Sequence, residues 1–177
     1  MAGCASQSSV KPVEALDERT GATVGALKEP IELIASTNPV LLPGRRASFA
    51  YLGPVEWNQS GVISYGLWVD IAPGGSEQRP ADIHVPATLT LILDDGPLSL
   101  TPMEAPKLGH APYQQAASWG QADYFELDVK VLKRMAQSQK LQLEVRTVDG
   151  SSVSFSSTAD TRAALTHYME ARGITGD

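Results

Sequence analysis

The sequence predicts a mainly β protein, an antiparallel β-sandwich or partly open barrel with about two short helices. Its 177 residues include 15 glycines and 12 prolines. Turn-forming residues at that frequency favour many short strands joined by tight connections. Several segments also alternate apolar with polar residues, a pattern that indicates strands with one buried face.

The clearest predicted strand is Gly61 to Ala72, with the sequence GVISYGLWVDIA. Its alternation predicts one face toward the core and one toward solvent. Trp57 to Gly61 is the predicted hairpin turn, preceded by a strand at Arg46 to Tyr51. The side chains predicted to face inward are Ile63, Tyr65, Leu67, Val69 and Ile71, and those predicted to face outward are Ser64, Gly66, Trp68 and Asp70.

Shorter segments complete the predicted strands. Thr20 to Ala26, Ile31 to Ala35 and Tyr124 to Val129 are rich in β-favouring residues. Two further hairpins are predicted around Asp94 to Pro97 and Asp149-Gly150, since aspartate followed by glycine between alternating runs is a strong hairpin signal. The inward residues of their arms are Leu89, Leu91, Leu93, Leu98 and Leu100, then Leu141, Leu143, Val145, Val153 and Phe155.

The two helices are predicted at roughly 130–138 and 159–172. Each has apolar residues at helical spacing, which predicts one buried stripe. The stripes are Leu132, Met135 and Ala136 in the first helix and Leu165, Tyr168 and Met169 in the second.

Composition indicates a single globular domain, which we place at residues 17–177. Hydrophobic residues make up 42% of the chain and charged residues 19%, values typical of folded proteins. The net charge of −6 argues against nucleic acid, because such binding depends on Lys and Arg that neutralise phosphates. The longest apolar run, Leu89 to Leu93, is far shorter than the ~20 residues that a membrane-spanning helix needs.

The chain has one cysteine, Cys4, so no intramolecular disulfide forms. The stretch Ala2-Gly3-Cys4, followed by Ala-Ser-Gln-Ser-Ser, resembles the cleavage site of bacterial lipoprotein signal peptides. That resemblance implies that Cys4 becomes the acylated amino terminus. Met1 stands where the family usually has Leu, and the apolar signal region is missing, so we expect a start codon placed too late or a trimmed sequence. The alternative is that Cys4 is an incidental thiol in a frayed terminus.

The lipoprotein resemblance also implies where the protein resides. Residues 1–16 would comprise the lipidation site and a flexible tether from Ala5 to Leu16, anchored in the lipid bilayer through acylated Cys4. In Gram-negative lipoproteins an Asp next to the cysteine usually signals retention in the inner membrane. Ala5 stands there, so the resemblance implies the outer membrane of the cell envelope, facing the periplasm.

Residue patterns for catalysis are scarce. With a single cysteine, thiolate zinc sites and redox pairs are excluded, and His84, His110 and His167 lack the spacing of known metal motifs. We therefore predict no catalytic residue, no metal and no cofactor.

One predicted connection, residues 103–121, is long for a loop inside a compact domain. It contains His110, Tyr113 and Trp119, amphipathic side chains of the kind that anchor ligands or partners. We treat these three residues as a candidate binding loop. The alternative is that Tyr113 and Trp119 cover one end of the core.

Three functions remain open. The first is a non-enzymatic envelope lipoprotein that binds an envelope protein or lipid, which the scarcity of catalytic patterns favours. The second is a small-molecule or lipid carrier, with its ligand in a cavity between the sheets or under residues 103–121. The third is a hydrolase, which would need an acid or nucleophile within hydrogen-bond reach of His84 or His110.

Overall fold

The computed structural model describes residues 11–36, 49–72, 89–115, 122–146, 152–157 and 159–174. Within these ranges the chain forms eleven strands and two helices. The strands are β1 (Pro12–Asp17), β2 (Ala22–Leu27), β3 (Ile31–Ala35), β4 (Phe49–Gln59), β5 (Val62–Ala72), β6 (Leu89–Leu93), β7 (Gly96–Leu100), β8 (Pro102–Met103), β9 (Asp123–Glu126), β10 (Gln142–Arg146) and β11 (Ser152–Ser157). The helices are α1 (Val129–Gln137) and α2 (Arg162–Ala171).

The described strands form one antiparallel sheet that is nearly closed into a barrel. Its order is β7-β6-β10-β11-β3-β4-β5-β9-β8, and β2 pairs with both β1 and β4. The chain itself joins the two ends of this order, because β7 ends at Leu100 and β8 begins at Pro102. The residue between them, Thr101, accepts a hydrogen bond at 2.8 Å from the backbone N–H of Glu126 in β9. The predicted fold class is confirmed.

β4 and β5 are joined by a two-residue turn. Gln59 pairs with Val62, so only Ser60 and Gly61 lie between the strands. Their φ angles of 54° and 86° are those of a type I′ turn, whose twist matches that of the flanking strands. The predicted turn was therefore too long, since residues 57–59 belong to β4.

β5 departs from the predicted alternation in both of its halves. Ile63, predicted to face inward, is 50% exposed, while Trp68 and Asp70, predicted to face solvent, are 1% and 2% exposed. The ring of Tyr113 covers Trp68 from the outer face, with ring centroids 5.1 Å apart. The second half of β5 is thus buried on both faces, whereas its first half extends past the end of β9.

Both predicted helices are present. α1 begins after Asp128, whose carboxylate accepts a hydrogen bond from the Val131 backbone N–H at 2.7 Å. α2 begins at Arg162 rather than at residue 159. The buried residues are Leu132, Met135 and Ala136 in α1 and Leu165 and Tyr168 in α2, as predicted, and Met169 is half-buried.

The hairpin predicted around Asp94 to Pro97 is present, with β6 and β7 as its arms, but its turn is only Asp94-Asp95 because Gly96 pairs with Leu93. The Asp94 carboxylate accepts hydrogen bonds from the backbone N–H groups of Gln139 at 2.7 Å and Lys140 at 3.3 Å. This turn therefore holds the segment that follows α1. The second predicted turn, Asp149-Gly150, lies outside the described residues, although its arms pair as β10 and β11.

The tether predicted for Ala5 to Leu16 is wrong in its last five residues. Residues 12–16 belong to β1, which pairs with β2 from Pro12↔Leu27 to Asp17↔Ala22. Most β1 side chains are exposed, so the strand has no alternating apolar signal for sequence patterns to detect. The domain boundary predicted at residue 17 moves to residue 12 or earlier.

The burial of β5 yields a test of the fold. Leu67 is fully buried, so Leu67→Ala should lower the free energy of unfolding by about 2–5 kcal/mol in urea denaturation. Ile63→Ala removes a similar side chain from the exposed half of the same strand and should cost much less. Equal losses for the two variants would contradict the strand placement described here.

Candidate functional site

The part of the predicted loop that contains Tyr113 packs against the outer face of the barrel. Tyr113 is 4% exposed, and its hydroxyl donates a hydrogen bond to the Pro54 carbonyl oxygen at 2.7 Å. The same hydroxyl accepts one from the Leu27 backbone N–H at 3.0 Å. Tyr113 therefore covers core, as one of the two sequence-based alternatives predicted.

The Tyr113 hydroxyl lies where β2 and β3 separate along one edge of β4. β2 pairs with β4 as far as Ala26↔Val55, and β3 resumes the pairing at Ile31↔Leu52. The two residues of β4 between these ladders are Gly53 and Pro54. The hydroxyl thus bonds backbone groups that the split in the ladder leaves unpaired, which buried groups require.

The ring of Tyr113 requires glycine at position 53, and the split tolerates proline at position 54. A Cβ on Gly53 would lie 2.2 Å from the Tyr113 ring, so only glycine admits the ring. A strand residue directs its N and O atoms to the same side. The Pro54 oxygen faces Tyr113, so the Pro54 nitrogen also faces the gap between β2 and β3. The N–H that proline lacks therefore costs no ladder hydrogen bond.

Burial sets the ionisation of the aromatic hydroxyls. Burial raises the pKa of Tyr113 well above its ordinary value, and it raises the pKa of Tyr124 to about 12. The Tyr113 hydroxyl therefore keeps its proton at neutral pH and donates its hydrogen bond to Pro54.

A second set of bonds fixes the same loop to the β1–β2 turn. Asp17 is 6% exposed, and its carboxylate accepts hydrogen bonds from the Thr20 hydroxyl at 2.5 Å and the Gly109 backbone N–H at 3.0 Å. The Arg19 guanidinium donates to the carbonyl oxygens of Lys107 and Leu108 at 2.5 and 3.1 Å. The Thr20 bond is the main reason that the pKa of Asp17 is lowered, and the Gly109 bond contributes.

The three candidate residues of the loop do not form one site in the described structure. His110 is exposed and borders a small pocket of about 180 Å³ between the loop and the β1–β2 hairpin. Tyr113 is buried, and Trp119 lies outside the described residues. The described part of the loop thus fastens the barrel, and of the three candidate residues only His110 is exposed there.

A larger groove, of about 680 Å³, lies in the barrel wall where β9 ends. It is open to solvent. We call it the β5 groove and define it by the residues that line it. These are Trp57, Ser64, Tyr65, 98–101, 103–107, 126–128 and Val131.

The apolar wall of the β5 groove centres on Trp57. A Cβ on Gly66 would lie 3.0 Å from the Trp57 ring and 3.2 Å from the Met103 sulfur. The glycine in β5 therefore lets Trp57 and Met103 approach the strand closely. Leu98, Leu127 and Val131 add apolar surface to the same wall.

The backbone edge of β5 opens into this groove. β9 pairs with β5 only from Gly66↔Glu126 to Val69↔Asp123, and no other described strand pairs with residues 62–65 on that side. Gln59 and Val62 flank a two-residue turn, so Val62 directs its N–H and C=O toward β4. By alternation, Ile63 and Tyr65 direct theirs away from β4, and Tyr65 lines the groove.

Carboxylates outnumber cations around the β5 groove. Glu104, Glu126 and Asp128 are among the described residues that line it, and Lys107, which lies 4.0 Å from Glu104, is the only cation among them. The groove therefore favours a cationic ligand over an anionic one.

A charge cluster lies behind Tyr65, on the inner face of the barrel. Glu56 is 7% exposed, and the Arg172 guanidinium lies 3.9 Å from it and 2.6 Å from the Glu14 carboxylate. A Cβ on Gly25 would lie 2.6 Å from that guanidinium, so a glycine in β2 makes room for it. Burial, followed by the Glu56 charge, raises the pKa of Tyr65.

Neither His110 nor His167 makes a hydrogen bond to a carboxylate in the part of the chain that the structure describes, and His84 lies outside it. No group of three or more metal-ligating side chains occurs among the described residues. In the same ranges, no helix is long and apolar enough to cross a membrane.

The chain matches no protein-family model, no curated protein and no solved structure.

Sequence patterns missed the β5 groove because its residues come from distant segments. Trp57 lay in a predicted turn and Met103 at the start of a predicted loop. One signal was available, because the segment predicted as β5 is much longer than the segment predicted as β9. Neighbouring strands of unequal length leave an unpaired edge.

Removing the Tyr113 hydroxyl should destabilise the barrel. Tyr113→Phe keeps the ring but leaves the buried Leu27 N–H and Pro54 oxygen without a partner, at a cost of about 1–3 kcal/mol in chemical denaturation. Tyr51→Phe is the control, since Tyr51 is half-buried and has no hydrogen bond in the described structure. A loss for Tyr113→Phe no larger than the control's would show that the hydroxyl does not join the two strands.

The lowered pKa of Asp17 predicts a pH dependence. Its charged form is stabilised in the fold, so its contribution is full above the ordinary pKa of 3.8 and is lost as pH falls through the lower folded value. Asp17→Asn should therefore be less stable than the wild type at neutral pH, and the difference should shrink below about pH 4. Glu18→Gln, an exposed neighbour, should track the wild type throughout a series of denaturation curves. A difference that stays constant down to pH 2 would contradict this role for Asp17.

Proposed function

We propose that this chain is a non-enzymatic binding module of the bacterial cell envelope, anchored to a membrane by lipid on Cys4. The observation that supports a binding role is the β5 groove, where an unpaired strand edge, a Trp57 wall and several carboxylates adjoin. Binding sites combine an apolar surface with a few polar groups that fix the ligand, and this groove has both.

The anchor rests on the resemblance of Ala2-Gly3-Cys4 to lipoprotein cleavage sites. Residues 5–11 separate Cys4 from β1, and seven residues span at most about 25 Å even when fully extended. An anchored domain would therefore stay close to the headgroups. Each buried acyl methylene contributes about 0.8 kcal/mol, so several acyl chains on one cysteine would anchor the protein without a spanning helix.

Ala5, beside the cysteine, supports placement in the outer membrane rather than the inner membrane. An acylated protein that is not retained in the inner membrane would present its domain to the periplasm. The β5 groove would then be available to envelope proteins or to soluble ligands there.

The second candidate is a carrier of small apolar molecules or lipids. The volume of the groove, about 680 Å³, lies within the usual range for ligand sites, and Trp57 and Met103 offer apolar contact. This candidate ranks second because the groove is open to solvent and bordered by carboxylates rather than enclosed.

The anchor can be tested independently of the groove. With a lipoprotein signal region placed before residue 4 and expression in a Gram-negative host, the wild type should incorporate labelled palmitate and fractionate with outer membranes. Cys4→Ser should lose the label and become soluble, while Ser6→Ala, a change in the same segment, should behave as the wild type. Soluble wild-type protein without label would refute the proposed anchor.

A further inference from the structure

We propose that the β5 groove binds an extended, positively charged peptide segment, which adds as a strand to the free edge of β5. This inference rests on the proposed binding role and specifies the partner. Strand addition uses backbone hydrogen bonds for affinity and side-chain contacts for specificity. The groove offers both on adjoining surfaces.

The free edge supplies the hydrogen bonds. Ile63 and Tyr65 direct their backbone N–H and C=O groups away from β4, and the described residues provide no strand to pair with them on that side. Tyr65 lines the groove, and Ile63 continues the same edge beyond it. Val62 and Ile63 are 69% and 50% exposed, so both faces of this edge are accessible to an incoming chain. An added strand would occupy the position that β9 vacates beyond Glu126.

The end of β9 explains why this position is vacant. Asp128 caps α1, so the chain turns into a helix two residues after its last pairing with β5. Leu127, Val131 at the start of α1, and residues 98–101 line the groove beside this position. The free edge therefore adjoins a groove rather than a flat surface.

The occupant is cationic because of the groove's charges. Glu104, Glu126 and Asp128 line the groove, against one lysine among the described lining residues, so Lys or Arg side chains on an added strand would gain favourable interactions. A second copy of this chain fits less well, since pairing two β5 edges would bring the carboxylates of both copies together. The net charge of −6 opposes such self-association further.

Synthetic peptides test this proposal directly. A fluorescein-labelled octapeptide of alternating lysine and threonine should bind the full chain in fluorescence polarisation at low salt. The same peptide with glutamate in place of lysine should bind at least about tenfold more weakly, because its charges oppose those of the groove. Equal binding of both peptides would overturn the claim of a cationic partner.

Backbone pairing requires a second comparison. Adjacent residues of an extended peptide direct their N–H groups to opposite edges. N-methylation at two adjacent central residues of the lysine peptide therefore blocks a donor on whichever edge pairs with β5 and should abolish binding. Ile63→Pro removes the outward N–H of the protein and should weaken binding about 3- to 10-fold, the equivalent of about one hydrogen bond. Ile63→Thr is the matched control, because it removes the same apolar side chain and keeps the N–H. Undiminished binding of the methylated peptide would overturn strand addition even if Ile63→Pro failed to fold.

The charged wall provides a third comparison. Glu104→Gln combined with Glu126→Gln should weaken binding of the lysine peptide about threefold or more at low salt and reduce its salt dependence. Glu170→Gln removes one exposed charge from α2, which does not line the groove, and should have no effect. An unchanged affinity in the double variant would place the peptide elsewhere.

Binding measurements with other ligands distinguish the remaining possible occupants of the β5 groove. Uptake of 11-(dansylamino)undecanoic acid, without peptide binding, would overturn the proposal in favour of an apolar ligand. Concentration-dependent dimerisation that Ile63→Pro abolishes would overturn it in favour of a second copy. Each result leaves the Cys4 experiment unaffected, so failure of the peptide and failure of the anchor are distinguishable.

Discussion

The paired hydrogen bonds of the Tyr113 hydroxyl are the interaction on which the rest of the barrel depends. They bridge Leu27 and Pro54 at the point where β2 and β3 separate along one edge of β4. A central strand that exchanges partners midway leaves buried backbone groups unpaired, and each such group costs free energy comparable to a lost hydrogen bond. The hydroxyl satisfies both groups at once. Its ring fits only over Gly53, and it buries Trp68 on the outer face of β5.

This constraint accounts for the loop that precedes β9. Tyr113 comes from a segment distant in sequence from β2 and β4, so the loop must be held in position for the hydroxyl to reach both strands. Asp17 and Arg19 hold it, through bonds to the backbone of residues 107–109. A long loop with little regular structure is thus explained by its fastening role, and the unpaired edge for binding lies elsewhere, on β5.

Local patterns predicted the elements formed by neighbours in sequence. The β6–β7 hairpin, both helices and the inward side chains in the second half of β5, Leu67, Val69 and Ile71, followed from turn residues and apolar periodicity. Trp68 and Asp70 were placed wrongly because alternation assumes that one face meets water. It cannot register that Tyr113, more than forty residues away, covers Trp68 on this face. β1 was missed because its exposed side chains have no apolar period. Gly53-Pro54 inside a strand was the available sign of a split ladder, since both residues are unfavourable in a regularly paired central strand.

The free edge at the start of β5 contrasts with the protected sheet edges that β proteins usually have. Exposed edges pair readily with other chains, and proteins commonly protect them with lysine, proline, bulges or a covering element. Residues 62–65 include no lysine or proline, and the segment before them is a regular two-residue turn rather than a bulge. Val62 and Ile63 are instead β-branched and exposed, which favours pairing. The carboxylates beside this edge repel another copy of an acidic chain while attracting a basic one. An edge that resists self-association electrostatically, yet keeps its backbone free, is suited to a strand of opposite charge.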